Sequence, residues 1–103
     1  MLEINDKNFN QEVMGEEKLV VADFWASWCG PCKMLTPVLE EVSKEMKNVK
    51  FVKINVDENP ALSQKFRVSS IPTVMVFKDG ALKDTMVGFR RKEDIVKMVE
   101  NNL

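Results

Sequence analysis

Leu19-Val20-Val21-Ala22-Asp23-Phe24-Trp25-Ala26-Ser27-Trp28-Cys29-Gly30-Pro31-Cys32 contains the only two cysteines of the chain and joins two different apolar patterns. Up to Trp25 the run is short, apolar and flanked by polar residues, which predicts a buried strand from Lys18 to Trp25. Beyond it, Leu35, Val38, Leu39, Val42 and Met46 recur at helical spacing, while Lys33, Glu40, Glu41, Lys44 and Lys47 fall largely elsewhere. A helix from about Pro31 to Met46 follows, with Pro31 in the first turn, where no amide donor is missed. Pro37 removes one donor inside that helix and predicts a kink, not an end, because the apolar stripe continues to Met46.

The cysteine spacing points to redox chemistry. Two residues three apart in a helical turn have α-carbons roughly 5 to 6 Å apart, within disulfide reach. The positive end of the helix dipole stabilises a thiolate most strongly at the very terminus, which singles out Cys29 as the attacking thiol. Cys32, one turn further in, is expected to remain a thiol until a proton acceptor is at hand, and so to act as the resolving cysteine. A single Cys-x-x-Cys in a chain without histidine rules out a complete single-chain zinc site of Cys or Cys/His type and leaves only a shared intermolecular one. Lys33 stands where c-type haem attachment requires histidine. A purely structural disulfide is the bland alternative, but so short a loop removes little entropy from the unfolded chain.

The segment Ala22-Asp23-Phe24-Trp25-Ala26-Ser27-Trp28-Cys29-Gly30-Pro31-Cys32-Lys33-Met34 closely resembles the active-site segment of the thioredoxin family. Further matching stretches are Lys53-Ile54-Asn55-Val56-Asp57-Glu58-Asn59-Pro60, Ile71-Pro72-Thr73, Phe77-Lys78-Asp79-Gly80 and Val87-Gly88, all in the family's order. The resemblance covers nearly the whole chain, and the ordered set is far more specific than one Cys-x-x-Cys.

The remaining sequence fits a small globular protein. A length of 103 residues and 45% hydrophobic composition suit one domain, residues 1–103, with one core. A net charge of -1 from 15 basic and 16 acidic residues offers no footprint for nucleic acid or an acidic membrane. Met1-Leu2-Glu3-Ile4-Asn5-Asp6 lacks the basic start and apolar stretch of a signal peptide, and no run approaches membrane-spanning length. The expected location is cytoplasmic, where a Cys-x-x-Cys near a strand and helix reads as catalytic.

Leu2 to Asn5 reads as a first strand, followed by a helix capped by Asp6 and running to about Met14, with Phe9 and Val13 on one face and Gly15 at its end. Lys50 to Val56 is a further strand, and Asn59-Pro60 reads as cap and first turn of a helix to about Phe66. Thr73 to Phe77 and Leu82 to Val87 are joined by Asp79-Gly80, a two-residue hairpin signal that makes them antiparallel. Ile95, Met98, Val99 and Leu103 recur at helical spacing in a last helix from about Arg91 to Asn102. The order β-α-β-α-β-α-β-β-α implies an α/β protein with a central mixed β-sheet of about five strands flanked by about four helices, consistent with the thioredoxin fold. Cys29 then lies just past the carboxyl end of a parallel strand, where sites form in open sheets.

Asp23 is the most informative residue outside the cysteine pair. A carboxyl in so apolar a strand either points into the interior, at a cost if ionised, or reaches water at the strand end. The resemblance favours the interior, since the family's buried acid, thought to exchange protons with the resolving cysteine, aligns with Asp23. Lys53 matches the lysine beside that acid, though taken alone it reads as a solvated strand residue. Ile71-Pro72-Thr73 resembles the family's cis-proline segment, which faces the disulfide and pairs its backbone with an extended substrate. Trp28, Gly30, Pro31, Ile71, Val87 and Gly88 match the shallow apolar surface around the site, while Trp25 and the methionines read as packing. Two departures are Arg91, where the family often has a serine cap, and Ser70, where glycine commonly precedes Ile-Pro.

The expected function is that of a protein-disulfide reductase, with Cys29 attacking and Cys32 resolving. The resemblance implies no bound cofactor, a separate NADPH-dependent flavoenzyme (a thioredoxin reductase) as reductant, disulfide-containing proteins as substrates, and a monomer. An isomerase or oxidase is disfavoured by Gly30-Pro31, because histidine between the cysteines marks the more oxidising relatives. A redox-dependent binding module without turnover is the alternative outside enzymes.

Overall fold

The computed structural model describes residues 1–103. Five strands, β1 (Leu2–Ile4), β2 (Leu19–Trp25), β3 (Val49–Asn55), β4 (Thr73–Lys78) and β5 (Ala81–Val87), form one sheet in the order β1-β3-β2-β4-β5. β3 pairs parallel with β1 and β2, while β4 runs antiparallel to β2 and β5 antiparallel to β4. The helices are α1 (Gly30–Glu45), α2 (Pro60–Lys65) and α3 (Lys92–Asn102), with a π-helical segment at Asn10–Met14.

β2 is central and covered on both faces, which is why its sequence is a continuous apolar run with no alternation. Its side chains still alternate in direction. Leu19 and Val21 pack with Leu35, Leu39 and Val42 of α1 and Ile95 and Val99 of α3. Val20, Ala22 and Phe24 pack on the other side with Phe9, Val13 and Leu62. On that side Phe66 meets Phe77 and Phe9 at centroid distances of 5.2 and 5.4 Å, inside the range of favourable tilted aromatic pairs. By the same alternation Asp23 belongs to the face under α1. Across the helices of that face, the Lys92 ammonium lies 3.2 Å from Glu41 and 2.6 Å from Glu45, tying α3 to α1.

Several local expectations change. Asp6 is not the cap of the first helical segment. The segment has no side-chain cap, and Asn5 instead holds the turn before it, its Oδ1 accepting from the amides of Lys7 and Asn8 while Asn8 Oδ1 accepts from the Asn5 amide. The segment is π-helical at its core, the Gly15 amide donating to the carbonyl of Asn10, five residues back. Asn59 precedes Pro60 at the start of α2, but its side chain does not cap the helix. Its Oδ1 accepts from the Asp6 amide at 3.1 Å and its Nδ2 donates to the carbonyl of Asn55 at 3.1 Å, so it staples the loop after β1 to the end of β3. Leu103 lies beyond α3 and is exposed, while Ile95, Met98 and Val99 are buried as the spacing requires.

The Asp79-Gly80 hairpin is present, with φ of 52° and 75° at its two turn residues, the left-handed pair of a type I′ turn. α1 runs through Pro37 to Glu45. In the β4/β5 ladder, Val76 faces Asp84 and Phe77 faces Leu82, which leaves Lys83 as an extra residue on the outer strand. A bulge carrying lysine interrupts the exposed edge of β5, a feature that hinders pairing with another chain.

Candidate active site

The chain leaves β2 at Trp25 and enters α1 at Gly30, and Cys29 is the N-cap residue between them, with extended φ and ψ of -88° and 109°. A capping side chain receives an amide that the helix itself leaves without a partner. Here that side chain is sulfur: the Cys32 amide donates to Cys29 Sγ at 3.2 Å. The two cysteines form a disulfide with α-carbons 5.3 Å apart. Cys29 is 4% and Cys32 1% exposed, so one sulfur sits at the helix end and the other beneath the first turn. The donor and the helix dipole that face Cys29 Sγ favour negative charge there once the bond opens.

The segment after α2 faces this sulfur. The Ile71-Pro72 peptide bond is cis, and the carbonyl oxygen of Ile71 lies 3.8 Å from Cys29 Sγ. Thr73 pairs with Val87 in the β4/β5 ladder, and the Gly88 amide donates to the carbonyl of Pro72 at 2.8 Å. Gly88 takes φ of +87°, a conformation open to glycine, to make this turn. Trp28, next to Cys29 in the chain, is 69% exposed, and its Nε1–H donates to Asp57 Oδ2 at 2.8 Å. Asn55 Oδ1 accepts from the Asp57 amide at 2.9 Å, so the loop that orients the indole is itself held. Trp28, Gly30 and Pro31 adjoin Cys29 in the chain, the Ile71 carbonyl reaches its sulfur, and Val87 and Gly88 are tied to Thr73 and Pro72 of the same segment. Asp57 is the residue that sequence reasoning missed. It stands inside a matching stretch, but nothing in a linear sequence pairs it with an indole 29 positions away.

Asp23 lies deeper, 1% exposed, with neither carboxyl oxygen hydrogen-bonded. Burial pushes its pKa up from an ordinary 3.8 to about 7, and the positive charge of Lys53 pulls the other way. Lys53 stands beside Asp23 in the parallel register of β2 and β3. Its ammonium lies 3.5 Å from Glu3 and 5.1 Å over the ring of Trp25. Cys32 and Lys53 line one cavity of about 380 Å³ with Trp25 and Thr36, whose hydroxyl donates to the carbonyl of Cys32 at 3.0 Å.

A disulfide capping a helix, in reach of a neighbouring backbone carbonyl, is built to exchange with other disulfides, and the class defined by this fold and site is the protein thiol-disulfide oxidoreductases. The family model described as Thioredoxin matches residues 1–101. Among relatives, the chain is 48% identical over 101 residues to a thioredoxin of Rickettsia bellii (strain RML369-C), covering 97% of this chain and 96% of that one. It is 48% identical over 104 residues to a thioredoxin of Bacillus subtilis (strain 168) and 45% to one of Staphylococcus haemolyticus (strain JCSC1435), in both cases covering 100% of this chain and 98% of the relative. The chain belongs to the thioredoxin family, and its activity is that of a protein-disulfide reductase.

Proposed function

We propose that residues 1–103 act as one domain that carries two electrons from a reductase to disulfides in other proteins, Cys29 being the attacking and Cys32 the resolving cysteine. The observation that carries this assignment is the Cys32 amide aimed at Cys29 Sγ at 3.2 Å. In the reduced protein the Cys29 thiolate attacks one sulfur of a substrate disulfide, forming a mixed disulfide and releasing the other substrate sulfur as a thiolate. Cys32 then gives its proton to the Asp23 carboxylate, directly or through one water, and attacks Cys29 Sγ. That step expels the second substrate thiolate and closes the Cys29–Cys32 bond, so the substrate gains the two electrons the dithiol loses. Lys53 keeps Asp23 from rising still further, which leaves it able to accept a proton near neutrality.

Trp28, Gly30, Pro31, Ile71, Pro72, Val87 and Gly88 form the docking face for an extended substrate segment, whose backbone pairs beside Pro72. The oxidised form is returned to the dithiol by a thioredoxin reductase, an NADPH-dependent flavoenzyme, so the electron-carrying cofactors sit on the partner. The working state is a monomer in the cytoplasm. The test is dithiothreitol-driven reduction of a protein disulfide, comparing the wild type with Cys29→Ser. The variant is expected to fall to the uncatalysed rate, and retained turnover would overturn the proposal.

A further inference from the structure

Three charged side chains stand in one row across the sheet. Glu3 of β1 and Asp23 of β2 are each the in-register partner of Lys53, on the strand between them. In-register neighbours on adjacent strands share a face at a spacing of about 4.8 Å, so two carboxyls compete for one ammonium. The ammonium lies 3.5 Å from Glu3 Oε2 and 5.1 Å over the Trp25 ring, while neither oxygen of Asp23 has a hydrogen bond. Solvation decides the contest. The Glu3 side chain is 51% exposed, so pairing there leaves the ammonium partly in water, whereas pairing with Asp23, 1% exposed, would desolvate both charges. The other titratable groups at this place are Cys32 and Lys33 of α1, which line the same cavity as Lys53. β4, the second neighbour of β2, sets the apolar Val74 opposite Asp23.

We infer that Glu3 is a positioning residue for the exchange reaction, governing the protonation of Asp23 through Lys53. By pairing with Lys53 it holds the ammonium on itself and offsets the positive charge that Asp23 would otherwise feel. Once Glu3 is neutral, two effects act in the same direction. The charge of Lys53 is no longer offset, and the ammonium is free to move toward the buried carboxyl, so both favour ionised Asp23. Loss of the Glu3 charge therefore lowers the pH at which Asp23 releases its proton. The consequence for turnover rests on the proposed role of Asp23 as acceptor of the Cys32 proton; the control of Asp23 by Glu3 does not.

The test is a carboxyl-carbon NMR titration of the oxidised protein at low ionic strength, where exposed charges are least screened. The Asp23 resonance is assigned by its absence from Asp23→Asn. In Glu3→Gln its midpoint is expected to fall by about one pH unit, the lower end of the effect of a cation within about 4 to 6 Å. In a Lys53→Gln background the same substitution should move the midpoint less than about half as far, because Glu3 then acts only directly, across two strand spacings or about 10 Å. An unchanged or raised midpoint in Glu3→Gln, or an equal displacement in both backgrounds, would overturn the inference. A merely structural Glu3 would lower the melting temperature without moving the midpoint. In turnover, the acidic limb of the pH profile for release of the mixed disulfide should follow the Asp23 midpoint downward. A midpoint that falls while this limb stays fixed would support the role of Glu3 and refute Asp23 as the proton acceptor, so the two readings fail separately.

Discussion

Asp23 and Lys53 stand side by side in register on β2 and β3, yet they form no ion pair, the Lys53 ammonium being held instead near Glu3 and over the Trp25 ring. The carboxyl is therefore buried beside a cation that tempers its charge without supplying a hydrogen bond. A group in that position is neither a stable carboxylate nor a permanently neutral acid, and its protonation responds to pH near neutrality.

Stability should carry the mark of this burial. Below the ordinary value of 3.8 both the folded and the unfolded chain hold the proton, and Asp23 exacts no penalty. Between 3.8 and about 7 the folded state holds more protons than the unfolded one, so stability falls as pH rises through that window and levels off above it. At about 1.4 kcal/mol per pH unit the full penalty is on the order of 4 kcal/mol. Asp23→Asn escapes it but buries an amide, which leaves an expected gain of roughly 2 kcal/mol at neutral pH and above, shrinking toward pH 4. Urea denaturation of the oxidised proteins at several pH values measures this, and a variant less stable at every pH would contradict it.

The same substitution should separate the two steps of exchange. Asn cannot take the Cys32 proton, so release of the mixed disulfide is expected to slow by roughly 10²-fold, the lower end of the range for a positioned proton acceptor. Initial attack by Cys29, whose thiolate is stabilised by the Cys32 amide, should change far less. Stopped-flow measurement of the two phases distinguishes them.

Removing one sulfur at a time should give unequal outcomes. Cys32→Ser keeps the helix-capping thiol and is expected to accumulate stable mixed disulfides with substrates. Cys29→Ser leaves only a sulfur that is 1% exposed and is expected to trap none. Mass spectrometry of each variant after incubation with an oxidised protein substrate reads the difference, and equal trapping would reverse the assignment of attacker and resolver.

Two glycines offer a contrast between stability and docking. Gly80 and Gly88 have φ of +75° and +87°, so alanine at either should cost roughly 1 kcal/mol in backbone strain. Neither added methyl meets a close obstacle, the nearest atom to it at Gly80 being the Met14 carbonyl oxygen at 3.5 Å and none lying within 4 Å at Gly88. Gly80→Ala should lower the melting temperature and leave disulfide reduction intact. Gly88→Ala should lower the melting temperature and also raise KM, because the Gly88 amide holds the carbonyl of Pro72, the residue after the Ile71 carbonyl that meets Cys29 Sγ.

Apolar periodicity and turn chemistry are properties of neighbouring residues, so what depends on them was legible in the sequence by itself: the strand before Trp25, the long helix with Leu35, Leu39 and Val42 inward, the Asp79-Gly80 hairpin, and the capping position of Cys29. The start of the first helical segment was less legible, because Asp6 reads as a cap while the structure has none there and uses Asn5 Oδ1 to hold the preceding turn at the amides of Lys7 and Asn8. Asn59 had a helix start to cap, yet its side chain went to the Asp6 amide and the Asn55 carbonyl because the fold brings those groups to it. Burial of Asp23 could be suspected from its apolar neighbours, but whether it would find a partner depended on where the Lys53 ammonium went, and Glu3 and Trp25 drew it away. Tertiary structure alone placed Ile71 against Cys29 and Asp57 against Trp28, since each pair joins segments tens of residues apart, and only the packing of the sheet and its helices determines which of them meet.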